Sequence, residues 1–564
     1  MKTVIIGGVA GGATAAARLR RLDEAAEIIL LERGEYISYA NCGLPYYIGG
    51  EITDRDALTL QTPESFNARF AVDVRVRQEA VQIDPKRKTV RVRRLASGEE
   101  YEESYDKLIV SPGAEPVRPG LPGIGDARIF TLRTIPDTLR IDDFIRQNSP
   151  KRAVVVGGGF IGLEMAENLT RAGLSVTVIE LADHVIGPFD YDMAAHLHRY
   201  LRHKGVCLLL GRGVQGFSPA ATGLEVALND GQRLETDMVL MSVGVRPDSR
   251  LAQEAGLATN KRGAIVVDAH MRSSDPDIYA VGDAVEVRHL VSGGPAHIPL
   301  AGPANKQGRI AADHICGLAS AYKGVQGSSV LKLFEMTAAS TGLNESAAKA
   351  AGIEYDKVHT HPASHATYYP GAAGMSIKVL FEKGGGRIIG AQLVGFGGVD
   401  KRCDVLATAI RAGMTAYDLT ELELCYAPPF SSAKDPVNMA GYIIENLLEG
   451  RLRQFHWHEV EEAARRPDAL LLDVRTPWEY SRGRIEGAVH IPVDELRQRL
   501  GELPRDKTLY VYCQSGLRSY LACRILSQNG YECLNLSGGY ELYSLIEGDR
   551  EVNTGAAAPC GLRK

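Results

Sequence analysis

The chain has 564 residues, 45% of them hydrophobic and 24% charged, with a formal net charge of −5. That length exceeds what one hydrophobic core supports and predicts three to four domains. The balanced charge excludes a basic nucleic-acid surface and a charged tail that docks on membranes. Nine cysteines without regular spacing predict no disulfide framework. No CxxC pair occurs, so no metal is expected, and the reducing cytoplasm is the expected compartment.

Lys2 followed by Thr3 to Ala17 has the outline of a signal peptide. Four glycines interrupt its centre and Arg18-Leu-Arg-Arg21 closes it, which argues against that reading. No uninterrupted apolar run is long enough to span a bilayer.

Residues 3–6 predict a short apolar strand, and Gly7-Gly8-Val9-Ala10-Gly11-Gly12 turns into an alanine-rich helix. The next strand, from Glu27 to Leu31, ends at Glu32. A tight turn, a helix N-terminus facing a pyrophosphate and a carboxylate for a ribose hydroxyl form the dinucleotide-binding pattern. Val9 takes the place of its middle glycine. A second copy starts at Ala153-Val-Val-Val156, continues through Gly157-Gly-Gly159-Phe160-Ile161-Gly162, and ends its second strand at Glu180. An acid at that point accepts from a free 2′-hydroxyl and repels a 2′-phosphate, which favours NADH over NADPH.

Between these units lies Cys42, in Ser38-Tyr-Ala-Asn41-Cys42-Gly43-Leu-Pro-Tyr46, with Tyr47 and no second thiol five residues on. A cysteine at a helix N-terminus beside a bound dinucleotide is expected to have a lowered pKa and to act as a nucleophile. It pairs with a small thiol or is oxidised to a sulfenate.

Over residues 1–450 the chain resembles the pyridine nucleotide-disulfide oxidoreductases, and within them the coenzyme A-disulfide reductases. The segments that carry the likeness are the two glycine turns, Thr131-Leu-Arg, Ser242-Val-Gly244-Val-Arg-Pro247, and the strand that ends at Gly282-Asp283. The resemblance implies FAD in the first unit, held by residues 7–12, Glu32, Arg33, Gly282, Asp283, Pro299, Leu300 and Ala301. It implies NADH in the second, held by Gly157, Gly159, Phe160, Ile161, Gly162, Glu180 and Gly244. It also implies that Tyr368 and Tyr426 reach the active-site sulfur from the partner of a homodimer, where a phenol donates a proton to a departing thiolate. Thr14, Arg18, Arg21, Ser38, Asn41, Asn305 and Lys434 match positions that hold coenzyme A in that family. Phe70 stands where some relatives carry a lysine.

After Arg453 the short apolar strands Leu470–Asp473, Gly487–Pro492, Leu509–Cys513 and Asn535–Gly539 resemble a rhodanese domain across residues 453–546. The loop Cys513-Gln-Ser-Gly-Leu-Arg518 is expected to aim successive backbone N–H groups at one point, backed by a helix from Ser519 onward: an anion nest for a thiolate or persulfide. Arg518 lies five residues after the cysteine, where a protein phosphatase places its arginine six after. Cys523 and Cys533 are expected in that domain's core, and Cys560 on a flexible tail.

The expected fold is α/β, with two Rossmann-like dinucleotide-binding domains, an α+β dimerisation domain and a C-terminal α/β rhodanese domain. The boundaries are 1–112 with 250–325 for FAD, 113–249 for NADH, 326–450 for dimerisation, 453–546 for rhodanese, and 547–564 for the tail. The expected function is that of an NADH-dependent persulfide, polysulfide and CoA-disulfide reductase fused to a rhodanese. Its partners are those small sulfur compounds, with no nucleic acid and no membrane. Two alternatives stand beside it: an NADH peroxidase or oxidase cycling through a Cys42 sulfenate, and a C-terminal module that only senses or docks.

Overall fold

A computed structural model describes residues 1–554. The chain divides into two compact units, residues 1–181 with 205–327, and residues 182–204 with 328–554.

The first unit is built on two five-stranded sheets, each doubly wound. One places Lys2–Ile6 between Glu27–Glu32 and Lys107–Val110, with Asp73–Val76 and Ile278–Ala280 at its edges, all parallel. The other centres on Arg152–Val156, flanked by Ser175–Glu180 and Met238–Met241, again parallel. Helices on both faces bury these strands, which is why Val4-Ile5-Ile6 and Val154-Val155-Val156 read as continuous apolar runs. Strand 278–280 joins the first sheet 150 or more residues after its neighbours, so one domain is assembled from two distant stretches of chain.

The glycines at the start of each helix are fixed by crowding. Gly7 has φ +97°, and a Cβ there would stand 2.0 Å from the Ser111 carbonyl oxygen. Gly157 repeats the geometry at φ +107°, 2.2 Å from Ser242 O. Only glycine lets the turn pass this close beneath the neighbouring strand.

The second unit contains an antiparallel five-stranded sheet, ordered Ser329–Leu333, Met336–Gly342, Ile388–Gly395, Met375–Glu382, Tyr355–Thr360, with helix Val399–Ala412 among its helices. A second, parallel sheet follows, with Thr508–Tyr512 between Cys533–Leu536 and Ala469–Asp473. Cys523 and Cys533 are buried in its core, as expected. The fold classes read from sequence therefore hold.

The tail does not begin where it was expected. Helix Gly539–Thr554 continues eight residues into it. Asp549 is buried there, accepting from Tyr191 Oη at 2.7 Å and from His198 Nδ1 at 2.9 Å on helix Tyr191–His203. Cys560 lies outside the described residues. No described helix is long and apolar enough to cross a membrane.

Candidate functional site

Four long helices begin without a side-chain cap and without an acid in the first turn: Ala10–Leu22, Phe160–Arg171, Ala301–Ile315 and Leu517–Gln528, the last behind Cys513. Other helices are capped, as at Thr134 and Thr415 with reciprocal capping boxes. A helix start left open at a glycine turn keeps its N–H groups and its positive dipole end for an anion.

Glu32 and Glu180 are each anchored at a strand end. Glu32 accepts from Gly8 N at 2.9 Å and Gly34 N at 2.7 Å; Glu180 accepts from Gly158 N at 2.6 Å. A third element is provided by Gly282, whose N–H donates to the buried Gln307 side chain at 2.8 Å on helix Ala301–Ile315. Neighbouring Asp283 has its pKa raised by burial. Open helix starts, strand-end carboxylates and this Gly-Asp strand end fit FAD in the first turn and NADH in the second. Arg33 is partly engaged, donating to Asp248 at 2.8 Å. Gly244 has φ +105° and its carbonyl accepts from Val117 N.

Cys42 sits in the 3₁₀ turn Asn41–Gly43 that leads into the short helix Leu44–Ile48. Its side chain is exposed. The expected lowering of its pKa is not produced by the protein alone. Desolvation by the surrounding protein pushes the thiol up, and the carboxylates of Glu164 and Asp283 add to it. A five-residue helix supplies too little dipole to offset two acids.

Glu164 was not singled out from sequence, where it reads as a helix-face acid. It lies on helix Phe160–Arg171 and accepts from the Tyr46 hydroxyl at 3.4 Å. Burial raises its pKa to about 7, opposed by that hydrogen bond and aided by Glu167.

The coenzyme A candidates fall in both units. Thr14, Arg18 and Arg21 recur at helical spacing along one helix, and Thr14 Oγ1 donates to Asn305 Oδ1 at 2.6 Å. Arg18 is held by Asp313 at 2.6 Å. Ser38 adopts φ +44° and donates its N–H to Gly8 O, while Asn41 is exposed in the Cys42 turn. Phe70 packs on Phe66 against the core, so the lysine's place is filled by an apolar ring. Lys434 is exposed in the second unit, next to Asp435.

Tyr368 and Tyr426 are brought together, with their hydroxyls 3.0 Å apart. That hydrogen bond raises the Tyr368 pKa. Tyr368 is 74% exposed and Tyr426 48%, so neither ring is buried within its own unit. Behind them, Arg402, 1% exposed, donates to Ser431 Oγ at 3.0 Å and to Asp435 Oδ2 at 3.0 Å. Ser431 O also accepts from Ala366 N, so this buried arginine fixes both tyrosine loops. Sequence gave no signal for it, since nothing local marks an arginine as buried.

In the rhodanese-like domain, Cys513 is fully buried at the end of strand Thr508–Tyr512. Its sulfur accepts from Gly516 N at 3.1 Å and from Ser519 Oγ at 3.3 Å. The helix behind starts at Leu517, two residues before the expected Ser519. Arg518 is paired through both terminal nitrogens with Glu479, at 2.6 and 2.7 Å, a partner not anticipated. That pairing, opposed by burial, draws Glu479 down to about 2.

Asp190, Asp192 and Glu345 form a carboxylate cluster of the kind that binds cations. Lys378 fills it, with Nζ 2.9, 2.8 and 2.6 Å from the three acids. Their charges are spent on a buried ammonium.

Comparison with known proteins places these features. Residues 1–308 match the model of the pyridine nucleotide-disulphide oxidoreductases, residues 328–436 that family's dimerisation domain, and residues 456–545 the rhodanese-like domain. A coenzyme A disulfide reductase from Staphylococcus epidermidis is 37% identical over 442 residues, covering 78% of this chain and 99% of that one. The crystal structure of reduced Bacillus anthracis CoADR-RHD superposes with a TM-score of 0.96 at 50% identity, covering 97% of this chain and 98% of that one. A NAD-dependent persulfide reductase from A. fulgidus gives a TM-score of 0.90 at 40% identity, covering 96% of this chain and all of that one.

Proposed function

The chain belongs to the pyridine nucleotide-disulphide oxidoreductase family, and from that premise we propose that it is an FAD-dependent, NADH-consuming reductase of CoA disulfide, CoA persulfide and polysulfide. The observation that carries the reading is a lone active-site cysteine, Cys42, on the same chain as a second sulfur-binding cysteine, Cys513, whose sulfur is held by an amide and a hydroxyl. The end-to-end likeness to the fused relatives supports it.

FAD, when bound, supplies the two-electron relay from NADH to Cys42 sulfur. The chain's own residues do the rest. Cys42 thiolate attacks a disulfide or persulfide sulfur and forms a mixed disulfide, releasing one thiol or hydrosulfide. The enzyme acts as a homodimer, and Tyr368 and Tyr426 of one subunit donate a proton to the thiolate leaving the partner's site. Thr14, Arg18, Arg21, Ser38, Asn41, Asn305 and Lys434 bind coenzyme A, the arginines taking its phosphates because a guanidinium fork matches an oxyanion.

Cys513 accepts sulfane sulfur and hands it on, the amide and hydroxyl holding its anion. Hydrogen sulfide is the released product. The domain boundaries expected above, 1–112 with 250–325, 113–249, 326–450 and 453–546, remain our assignment. The site of action is the cytoplasm.

The test is anaerobic NADH oxidation with CoA persulfide, polysulfide, CoA disulfide and hydrogen peroxide, on the FAD-loaded wild type and Cys42→Ser. Sulfide release that disappears with Cys42 supports the reading. Fast peroxide turnover with none on sulfur species overturns it in favour of a peroxidase.

A further inference from the structure

Helix Ala10–Leu22 lies so close to helix Ala301–Ile315 that a Cβ on Gly308 would stand 2.3 Å from Gly11 O. At that approach the side chains further along must interlock, and the polar ones do so in two rungs. The first rung joins Thr14 to Asn305 at 2.6 Å. The second joins Arg18 Nε to Asp313 Oδ1, also at 2.6 Å.

Asp313 is 4% exposed. Its second oxygen accepts from Ser320 Oγ at 2.8 Å, and Arg309 lies 3.9 Å away. Arg18 keeps 18% of its side-chain surface. No hydrogen bond from its two terminal nitrogens to another described residue is present. A guanidinium gripped by Nε is held in plane with its Nη pair free, which is the bidentate edge that recognises an oxyanion.

Asp313 has two opposing effects on an anion at Arg18. It removes part of the positive charge, which weakens attraction. It also freezes a side chain that otherwise gives up its rotamer freedom on binding. The carboxylate is buried, meets Nε and accepts a hydroxyl on its second oxygen, and the inference rests on the ordering effect outweighing the loss of charge.

We propose that Asp313 is a positioning residue that orients Arg18 for the phosphate-bearing end of a coenzyme A thiol. This rests on the coenzyme A reading above. It makes the specificity for a phosphorylated thiol a property of the paired helices rather than of Arg18 alone.

The experiment is titration calorimetry of coenzyme A and of pantetheine, which lacks the phosphates. It uses FAD-loaded full-length wild type, Asp313→Asn, Arg18→Ala and the double variant. Asn keeps the shape and the Ser320 partner but loses the ionic grip. Coenzyme A binding by Asp313→Asn is expected to weaken about ten-fold, with pantetheine changed less than about two-fold. On the Arg18→Ala background the same substitution should add less than about two-fold. Unchanged or tighter coenzyme A binding by Asp313→Asn overturns the inference, as does an equal loss with or without Arg18. If Asp313→Asn does not fold, Ser320→Ala loosens the same carboxylate. A loss confined to coenzyme A then supports the inference, and no loss overturns it. Wild type that turns over no CoA disulfide overturns the coenzyme A reading itself, which separates the two failures.

Discussion

The carbonyl of Gly538 accepts from His361 Nε2 at 3.1 Å, joining the loop beside Cys513 to the antiparallel sheet domain. The neighbouring Ser537 hydroxyl lies 3.2 Å from both the amide and Nδ1 of His359. On its other side this loop grips the sulfur site: Tyr540 N donates to Cys513 O at 2.8 Å and Glu541 N to Gln514 O at 2.9 Å. The Ser537–Gly539 turn is thus wedged between a histidine-bearing strand and the Cys513 nest.

Gly539 is the tightest point of that wedge. It has φ +62°, and a Cβ there would stand 2.6 Å from Gln514 O and 2.8 Å from Cys513 O. Gly539→Ala combines about 1–3 kcal/mol of left-handed backbone strain with a backbone clash, so the Cys513 loop must shift. Thiosulfate-to-cyanide sulfur transfer is expected to fall about ten-fold or more, since a tenfold change needs only about 1.4 kcal/mol. Reduction of CoA disulfide through Cys42 should change less than about two-fold. Equal losses in both assays would refute this separation.

Glu164 adds to the desolvation that pushes the Cys42 thiol up. Its pKa, raised to about 7 by burial, makes it ionised above that pH and neutral below. Its carboxylate is one of the charges that push Cys42 up. Glu164→Gln removes that charge permanently, so the pH midpoint for Cys42 alkylation by iodoacetamide is expected to move down. The gain in alkylation rate over wild type should be largest above about pH 7 and vanish below it, where wild-type Glu164 is already protonated. An upward or absent shift contradicts this.

Tyr368 and Tyr426 share one hydrogen bond between their hydroxyls, 3.0 Å long. Two phenols that pass a proton as a unit give non-additive effects when removed. Tyr368→Phe and Tyr426→Phe are each expected to lower kcat about 10²-fold, the range of a lost general acid. The double variant should be little worse than either. Multiplicative losses in steady-state kinetics would show two independent roles.

What could be read from the sequence, and what could not, follows from the range of the interactions. The Gly7 and Gly157 turns were legible because strand, turn and helix lie within about thirty residues and the turn admits only glycine. Cys42 and Cys513 were legible because their loops carry them in contiguous motifs. Glu164, Asp313, Glu479 and Arg402 were not. Each is an ordinary charged residue on a helix or its flank, and its role comes from a partner far along the chain: Tyr46, Arg18, Arg518 and Ser431. Residues 547–554 misled for the same reason. Glu-Gly-Asp-Arg-Glu reads as solvated, but Asp549 faces helix Tyr191–His203, some 350 residues earlier.

That last contact gives a prediction about stability. Burial opposes ionisation of Asp549, but His198, Arg202 and Tyr191 outweigh it and bring its pKa to about 2. A carboxylate depressed in the folded state contributes stability that is complete above its unfolded pKa and lost as pH falls through the folded value. His198 acts in the same direction, because burial lowers its pKa and acid must charge a buried ring. Asp549→Asn is expected to cost about 2–4 kcal/mol at pH 7, the range for breaking one side of a buried charge pair. The difference from wild type should shrink between about pH 4 and about pH 2 as Asp549 itself is protonated. Denaturant unfolding at pH 7, 4 and 2.5 checks it: a gap that stays constant across that window would mean that Asp549 acts through packing and not through its charge.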